Sequence, residues 1–171
     1  LEEKLPRVVC FVSSQAGEGT STVAADFARL LASDGRQRVL LMDLNARRPA
    51  LDQRLLPAAE GPTTPFRGGS GDGALQLVPV EPEHRDRRFV PPARVEAVLH
   101  GLGPRADWVI LDAPPVLEAP EAAELATLAD GVVLVVEAGA AKRPVISRAC
   151  ELLRKSGARV LGSVLNRRRL E

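Results

Sequence analysis

Ser13-Ser14-Gln15-Ala16-Gly17-Glu18-Gly19-Thr20-Ser21-Thr22 decides the fold, because it joins an apolar strand to the start of a helix. A phosphate-binding loop of the Walker A type needs a glycine-rich turn with inward-facing N–H groups, then a lysine, then a hydroxyl for magnesium. The turn and the hydroxyl are present, and Thr20 stands at the lysine's place. Upstream, Arg7 to Val12 is a β-branched apolar run suited to a buried parallel strand. Downstream, Ser21 to Ala32 places Val23, Phe27, Leu30 and Leu31 at helical spacing. Taken alone, the loop is read equally well as an ordinary βα turn whose two glycines serve tight geometry.

The chain on the far side of this helix bears on that choice. Ser33-Asp34-Gly35 ends the helical pattern, and Arg38 to Met42 is a second apolar strand that delivers Asp43 at its carboxyl end. Ligand crevices of open parallel sheets lie at that edge, so Asp43 is expected to face the same site as the loop, a turn or cap carboxylate being the alternative. Another strand, Trp108 to Leu111, ends in Asp112 and reads as a Walker B pattern, in which a strand carries a carboxylate to magnesium. Three strand ends then converge on one crevice.

Further strands are expected at Leu75 to Val80, Gly131 to Val136 and Val160 to Leu165, with helices at Ala93 to Leu102, Ala119 to Ala129 and Pro144 to Ser156. Pro144 suits a first helical turn and Gly157 a C-terminal cap. Strand and helix alternate without an internal repeat, which implies an α/β fold: a parallel sheet with helices on both faces, in one domain spanning residues 1–171. Pro57 to Ala74, rich in proline and glycine, is expected to be a flexible loop, and Glu81 to Pro92 a surface excursion.

Composition excludes several function classes. A chain of 171 residues with 45% apolar and 26% charged residues suits a soluble domain, and a net charge of +1 gives no case for nucleic acid. Cys10 and Cys150 form no CxxC pair, and His84 and His100 stand without companion ligands. No apolar run reaches membrane-span length, so the expected location is cytoplasmic. Arg167, Arg168 and Arg169 are read as a solvated terminus, and Arg85, Arg87 and Arg88 as a solvated loop.

The stretches SSQAGEGTSTVAADFARLLA, VLLMDLNARRPAL, DWVILDAPPV and ADGVVLVVEAGAAKRPVISRACELLRKSGARVLGSVLNR resemble, in order, the cytoplasmic domain of bacterial tyrosine kinases, the BY-kinases of the CpsD/CapB type. A more distant resemblance is to the MinD/ParA-like ATPases. The resemblance implies a P-loop NTPase-like fold of the deviant Walker kind that binds ATP or ADP with Mg2+. It implies that Gly17, Glu18 and Gly19 wrap the phosphates, that Ser21 meets magnesium and that Thr22 lies beside the α-phosphate. Asp43 and Asp112 match the catalytic and metal-binding Walker A′ and Walker B carboxylates, and Asn166 a position beside the base.

Four departures qualify it. Thr20 removes an ammonium worth roughly 1.5 to 3 kcal/mol to the phosphates. Asn45 replaces a second Walker A′ aspartate, and the oligomerisation helix ahead of the loop is absent from these residues, so a homo-oligomer is not required. The family's autokinases end in a tyrosine cluster, whereas this chain has no tyrosine. The reading is a degenerate BY-kinase that serves as a regulatory or binding module in capsule or exopolysaccharide assembly. Its expected partners are a membrane polysaccharide co-polymerase, which recruits it to the inner face of the plasma membrane, or an active BY-kinase. The alternatives are an active kinase on another protein, with Arg47 or Arg48 or a neighbour's lysine supplying the charge, and a MinD/ParA-like ATPase.

Overall fold

A strand that is apolar on both faces belongs in the middle of a sheet, and β1 (Arg7–Ser13) lies there. The computed structural model describes residues 7–33, 35–51, 75–78, 90–102 and 105–167. After β1 come α1 (Thr20–Ala32), β2 (Val39–Asp43), β3 (Leu75–Val78), α2 (Pro92–Leu102) and β4 (Trp108–Asp112). The order continues with α3 (Glu121–Thr127), β5 (Gly131–Glu137), α4 (Arg143–Lys155) and β6 (Val160–Asn166). Among the described residues the strands pair in parallel in the order β3-β2-β4-β1-β5-β6, so the phosphate-loop strand sits between β4 and β5.

Side chains alternate across each strand, which divides the core into two layers. Cys10, Val12, Met42, Leu111, Leu134 and their neighbours pack with α2, α3 and α4. Phe11, Leu41, Ile110 and Val135 pack with α1 on the other face. Fully burying one such leucine or isoleucine contributes about 1.5 to 3 kcal/mol. Burial, and then the Asp112 charge, push the Cys10 thiol upward, so it stays protonated and acts as a small apolar filler.

Two features differ from the sequence expectation. The side of α1 that seats on the sheet is built from Ala24, Ala25, Ala28 and Ala32, whereas Leu30 is 71% exposed. Alanines let the helix approach the strands closely, and Phe27 reaches in from the flank to tilt against Phe11 at a centroid distance of 5.3 Å. The other feature is β6, an apolar run expected to be covered, whose Leu161 and Leu165 are 56% and 59% exposed. It is the edge strand, and its register slips beside Val132, where Leu161 folds over Gly131 in space that a Cβ would occupy.

Boundaries shift elsewhere. The helix expected from Ala119 to Ala129 is regular only over Glu121–Thr127, with tighter three-residue bonds at its ends, from the Ala122 N–H to Ala119 and from the Leu128 N–H to Leu125. Pro144 enters α4 at its first turn, and Gly157 takes a φ of +91° just past its end, as expected. The loop expected from Pro57 to Ala74, most of the excursion from Glu81 to Pro92 with His84, Arg85, Arg87 and Arg88, and Arg168 and Arg169 lie outside the described residues.

Candidate functional site

β1 ends at Ser13, the chain turns through Gly17 and Gly19 with φ of +92° and +90°, and α1 begins at Thr20. At Gly19 a side chain is excluded twice, by the backbone angle and by Asn166 Nδ2, which stands where a Cβ would go. The start of α1 carries no side-chain cap and no acidic residue in its first turn. Its leading N–H groups therefore have no partner within the helix, and with the helix dipole they make an anion-binding end.

The loop is braced from within. Glu18 is 5% exposed, and its Oε2 accepts bonds from Ser14 Oγ at 2.7 Å and from the Gln15 N–H at 2.8 Å. Its Oε1 accepts from the Glu137 N–H at 3.4 Å, which ties the loop to the end of β5. Asn166 Nδ2 donates to the Glu18 carbonyl at 2.9 Å, which ties it to the end of β6. Sequence reasoning places Glu18 around the phosphates and Asn166 beside the base; in the structure the Glu18 carboxylate is turned inward and the Asn166 amide is committed to the loop backbone.

A cleft of about 420 Å³ opens over this loop. Gly17, Gly19, Thr20 and Ser21 line it from the loop, Asn45, Arg47 and Arg48 from the segment after β2, and Pro115 and Glu118 from the segment after β4. Arg167, immediately after β6, completes the lining. Glu18, Thr22, Asp43, Asp112 and Asn166 do not line it, although all five lie on the elements around it.

Asp43 and Asp112 are register partners on adjacent strands, both buried, and strand alternation puts them on the α1 face with Leu41 and Ile110. Asp43 Oδ1 accepts from the Asn45 N–H at 3.0 Å, and Oδ2 from the N–H groups of Ala50 and Leu51 at 3.3 and 3.4 Å. These three bonds tie the Asp43 carboxylate to the segment that follows β2. No group of three His, Cys, Asp or Glu that could hold a metal occurs among the described residues. Ser21, Asp43 and Asp112 carry oxygen donors of the type that magnesium takes.

Sequence reasoning missed Glu118 and Arg167. Arg167 is exposed, as a solvated terminus implies, and it also lines the cleft, with Nη1 3.3 Å from Glu137 Oε2. The signal was available, since Arg167 follows the carboxyl end of a parallel strand as Asn45 and Ala113 do. Glu118 Oε1 accepts the Ala16 N–H at 2.7 Å, so an exposed carboxylate rests on a loop shaped to receive an anion. Glu118→Gln is expected to tighten Mg-ADP binding by about two- to fivefold, as removal of an exposed like charge allows. Calorimetric titration checks this, and weaker binding would show that Glu118 shapes the loop instead.

No profile of a known protein family matches the chain. The tyrosine-protein kinase YwqD of Bacillus subtilis (strain 168) is 31% identical over 175 residues, a match covering 95% of this chain and 73% of YwqD. The chain belongs to the bacterial tyrosine kinases. Another relative of this BY-kinase domain is the succinoglycan biosynthesis transport protein ExoP of Rhizobium meliloti (strain 1021), 27% identical across 94% of this chain but only 22% of ExoP. The BceF tyrosine kinase domain superposes with a TM-score of 0.69 at 25% identity, over 93% of this chain and 68% of that one. The septum site-determining protein MinD of Pyrococcus horikoshii OT3, solved with Mg-ADP, shares the fold with a TM-score of 0.72 at 21% identity, over 95% of this chain and 71% of MinD. The parallel sheet and its P-loop NTPase-like order agree with these neighbours.

Proposed function

We propose that these 171 residues of a BY-kinase form one P-loop domain that binds a magnesium nucleotide but is impaired in phosphoryl transfer, and that it works as a regulatory module in capsule or exopolysaccharide assembly. The observation that carries the reading is Thr20, which occupies the lysine position at the start of α1 while the glycine turn, the uncapped helix end and the cleft are retained. Gly17, Gly19 and the N–H groups of Thr20, Ser21 and Thr22 would cradle the phosphates. Ser21, Asp43 and Asp112 would hold the cation, which neutralises phosphate charge when bound.

Catalysis of phosphoryl transfer is mainly charge stabilisation and positioning, so loss of the ammonium lowers rate more than affinity. These 171 residues contain no tyrosine, so none of them can accept a phosphoryl group on a tyrosine side chain. Among the described residues no helix is long and apolar enough to cross a membrane. The proposed placement, supported by the kinase relatives, is cytoplasmic, with recruitment to the membrane by a polysaccharide co-polymerase or an active BY-kinase. The name of ExoP and the kinase relatives support that partner class.

The second reading, an active kinase on another protein, is favoured by the arginines that line the cleft, Arg47, Arg48 and Arg167. One experiment separates the two. Mg-ADP and Mg-ATP are titrated calorimetrically, and turnover of labelled ATP is followed alone and with a tyrosine-containing acceptor peptide. Binding of both nucleotides without turnover above background is expected. Measurable phosphoryl transfer would sink the impaired reading. A MinD/ParA-like ATPase cycle is less well supported, since Ser14, Gln15 and Ala16 supply no early lysine.

A further inference from the structure

We propose that Arg167 supplies from its own chain the positive charge that Thr20 lacks, gripping the phosphates of a bound nucleotide from the end of β6. The proposal rests on the nucleotide-binding reading of the cleft and deepens it.

The backbone gives the first indication. Arg167 has a φ of +56°, and among the described residues it is the one non-glycine with a positive φ. L side chains rarely adopt this conformation, and an outlier of this kind points to a position held for a use. Arg167 Nε lies 3.9 Å from the place a Cβ on Gly19 would occupy. Gly19, Thr20 and Arg167 line the same cleft, so the guanidinium shares it with the position that lacks the ammonium.

The side chain, 51% exposed, has an ion-pair partner at this place. Nη1 lies 3.3 Å from Glu137 Oε2, while the Glu137 N–H is bonded to Glu18 inside the loop. The Ala138 N–H donates to the Asn166 carbonyl at 2.9 Å, which fixes the strand end that carries Arg167. A guanidinium has five N–H donors in a planar fork, so one can remain on Glu137 while others meet phosphate oxygens. Of the other two arginines of the cleft, Arg47 is paired at 3.6 Å with Glu121, whose side chain is only 8% exposed, and both Arg47 and Arg48 lie on the segment after β2.

The test is calorimetric titration of Mg-ADP into the whole chain, together with Arg167→Ala, Arg167→Lys, Arg167→Gly, Thr20→Lys and the double variant Thr20→Lys/Arg167→Ala. Arg167→Ala and Arg167→Gly are expected to weaken binding by about tenfold or more, as loss of a charged hydrogen bond predicts. Arg167→Lys should keep part of the affinity. Glycine suits the left-handed backbone, so Arg167→Gly should melt at or above the wild-type temperature while binding worse, a split that a structural role does not produce. In the Thr20→Lys background the loss on removing Arg167 should shrink to about threefold or less, because the ammonium takes over.

Wild-type affinity in Arg167→Ala would overturn the proposal and leave the nucleotide reading standing. So would a loss of the same size with Thr20 and with lysine there, which would mark Arg167 as structural. No Mg-ADP binding by either the wild type or Thr20→Lys would remove the nucleotide reading and the proposal together.

Discussion

Thr20→Lys is expected to raise the affinity for Mg-ADP and Mg-ATP by about one to two decades, the worth of one charged hydrogen bond to phosphate. Thr20 is the first residue of α1 and, although only 8% exposed, it borders the cleft, so a lysine there is expected to reach toward it. Without ligand the substitution carries a penalty. A cation at the positive end of a helix is disfavoured by about 0.3 to 1 kcal/mol, so the free variant should melt slightly below the wild type. With saturating Mg-ADP the order should reverse, because tighter binding to the folded state raises its stability. That crossing of melting temperatures, read by thermal denaturation beside calorimetry, distinguishes a gained phosphate contact from general stabilisation. Unchanged affinity would mean that the loop is not shaped for phosphate.

A change behind the loop should be nearly as damaging as a change in front of it. Glu18→Ala removes the acceptor for the Ser14 hydroxyl and for the N–H groups of Gln15 and Glu137. Leaving buried donors unsatisfied costs about 1 to 3 kcal/mol each, and relief from burying a carboxylate offsets part of that. The expected net loss is about 2 kcal/mol, or about 4 to 8 °C in melting temperature for a domain of this size. Nucleotide binding should fall with it, although the Glu18 side chain does not line the cleft. Denaturant titration of the variant checks the stability change. An unmoved midpoint would show that the glycines alone set the loop's shape.

Much of this architecture was legible in local pattern. Strands buried on both faces appear as unbroken apolar runs, which is why β1, β4 and β5 stand out. The rule that crevices form at the carboxyl ends of parallel strands brought Asp43 and Asp112 together, and they are register partners. Other features depend on distance along the chain or on competition between residues. The inner face of α1 goes to four alanines because close approach to the sheet outweighs the size of Leu30. β6 has the composition of a covered strand but lies at the edge, and strand order is not written in the strand itself. The inward turn of Glu18 depends on Glu137, and the role of Asn166 depends on Glu18, partners no window of sequence contains.

Those long-range ties constrain how the protein is made. Synthesis passes the phosphate loop 148 positions before it reaches Asn166. The central strand likewise waits for its neighbours, as the bond from the Val8 N–H to Asp130 across 122 positions shows. Pairings so far apart in sequence slow folding, because chain closure must precede any gain from contact. On the ribosome the glycine turn therefore emerges with nothing to shape it, and a nascent chain that ends ahead of β5 has no cradle to offer. If the cleft holds a nucleotide as proposed, it can do so only once the ends of β5 and β6 have joined the loop, at Glu137 and Asn166.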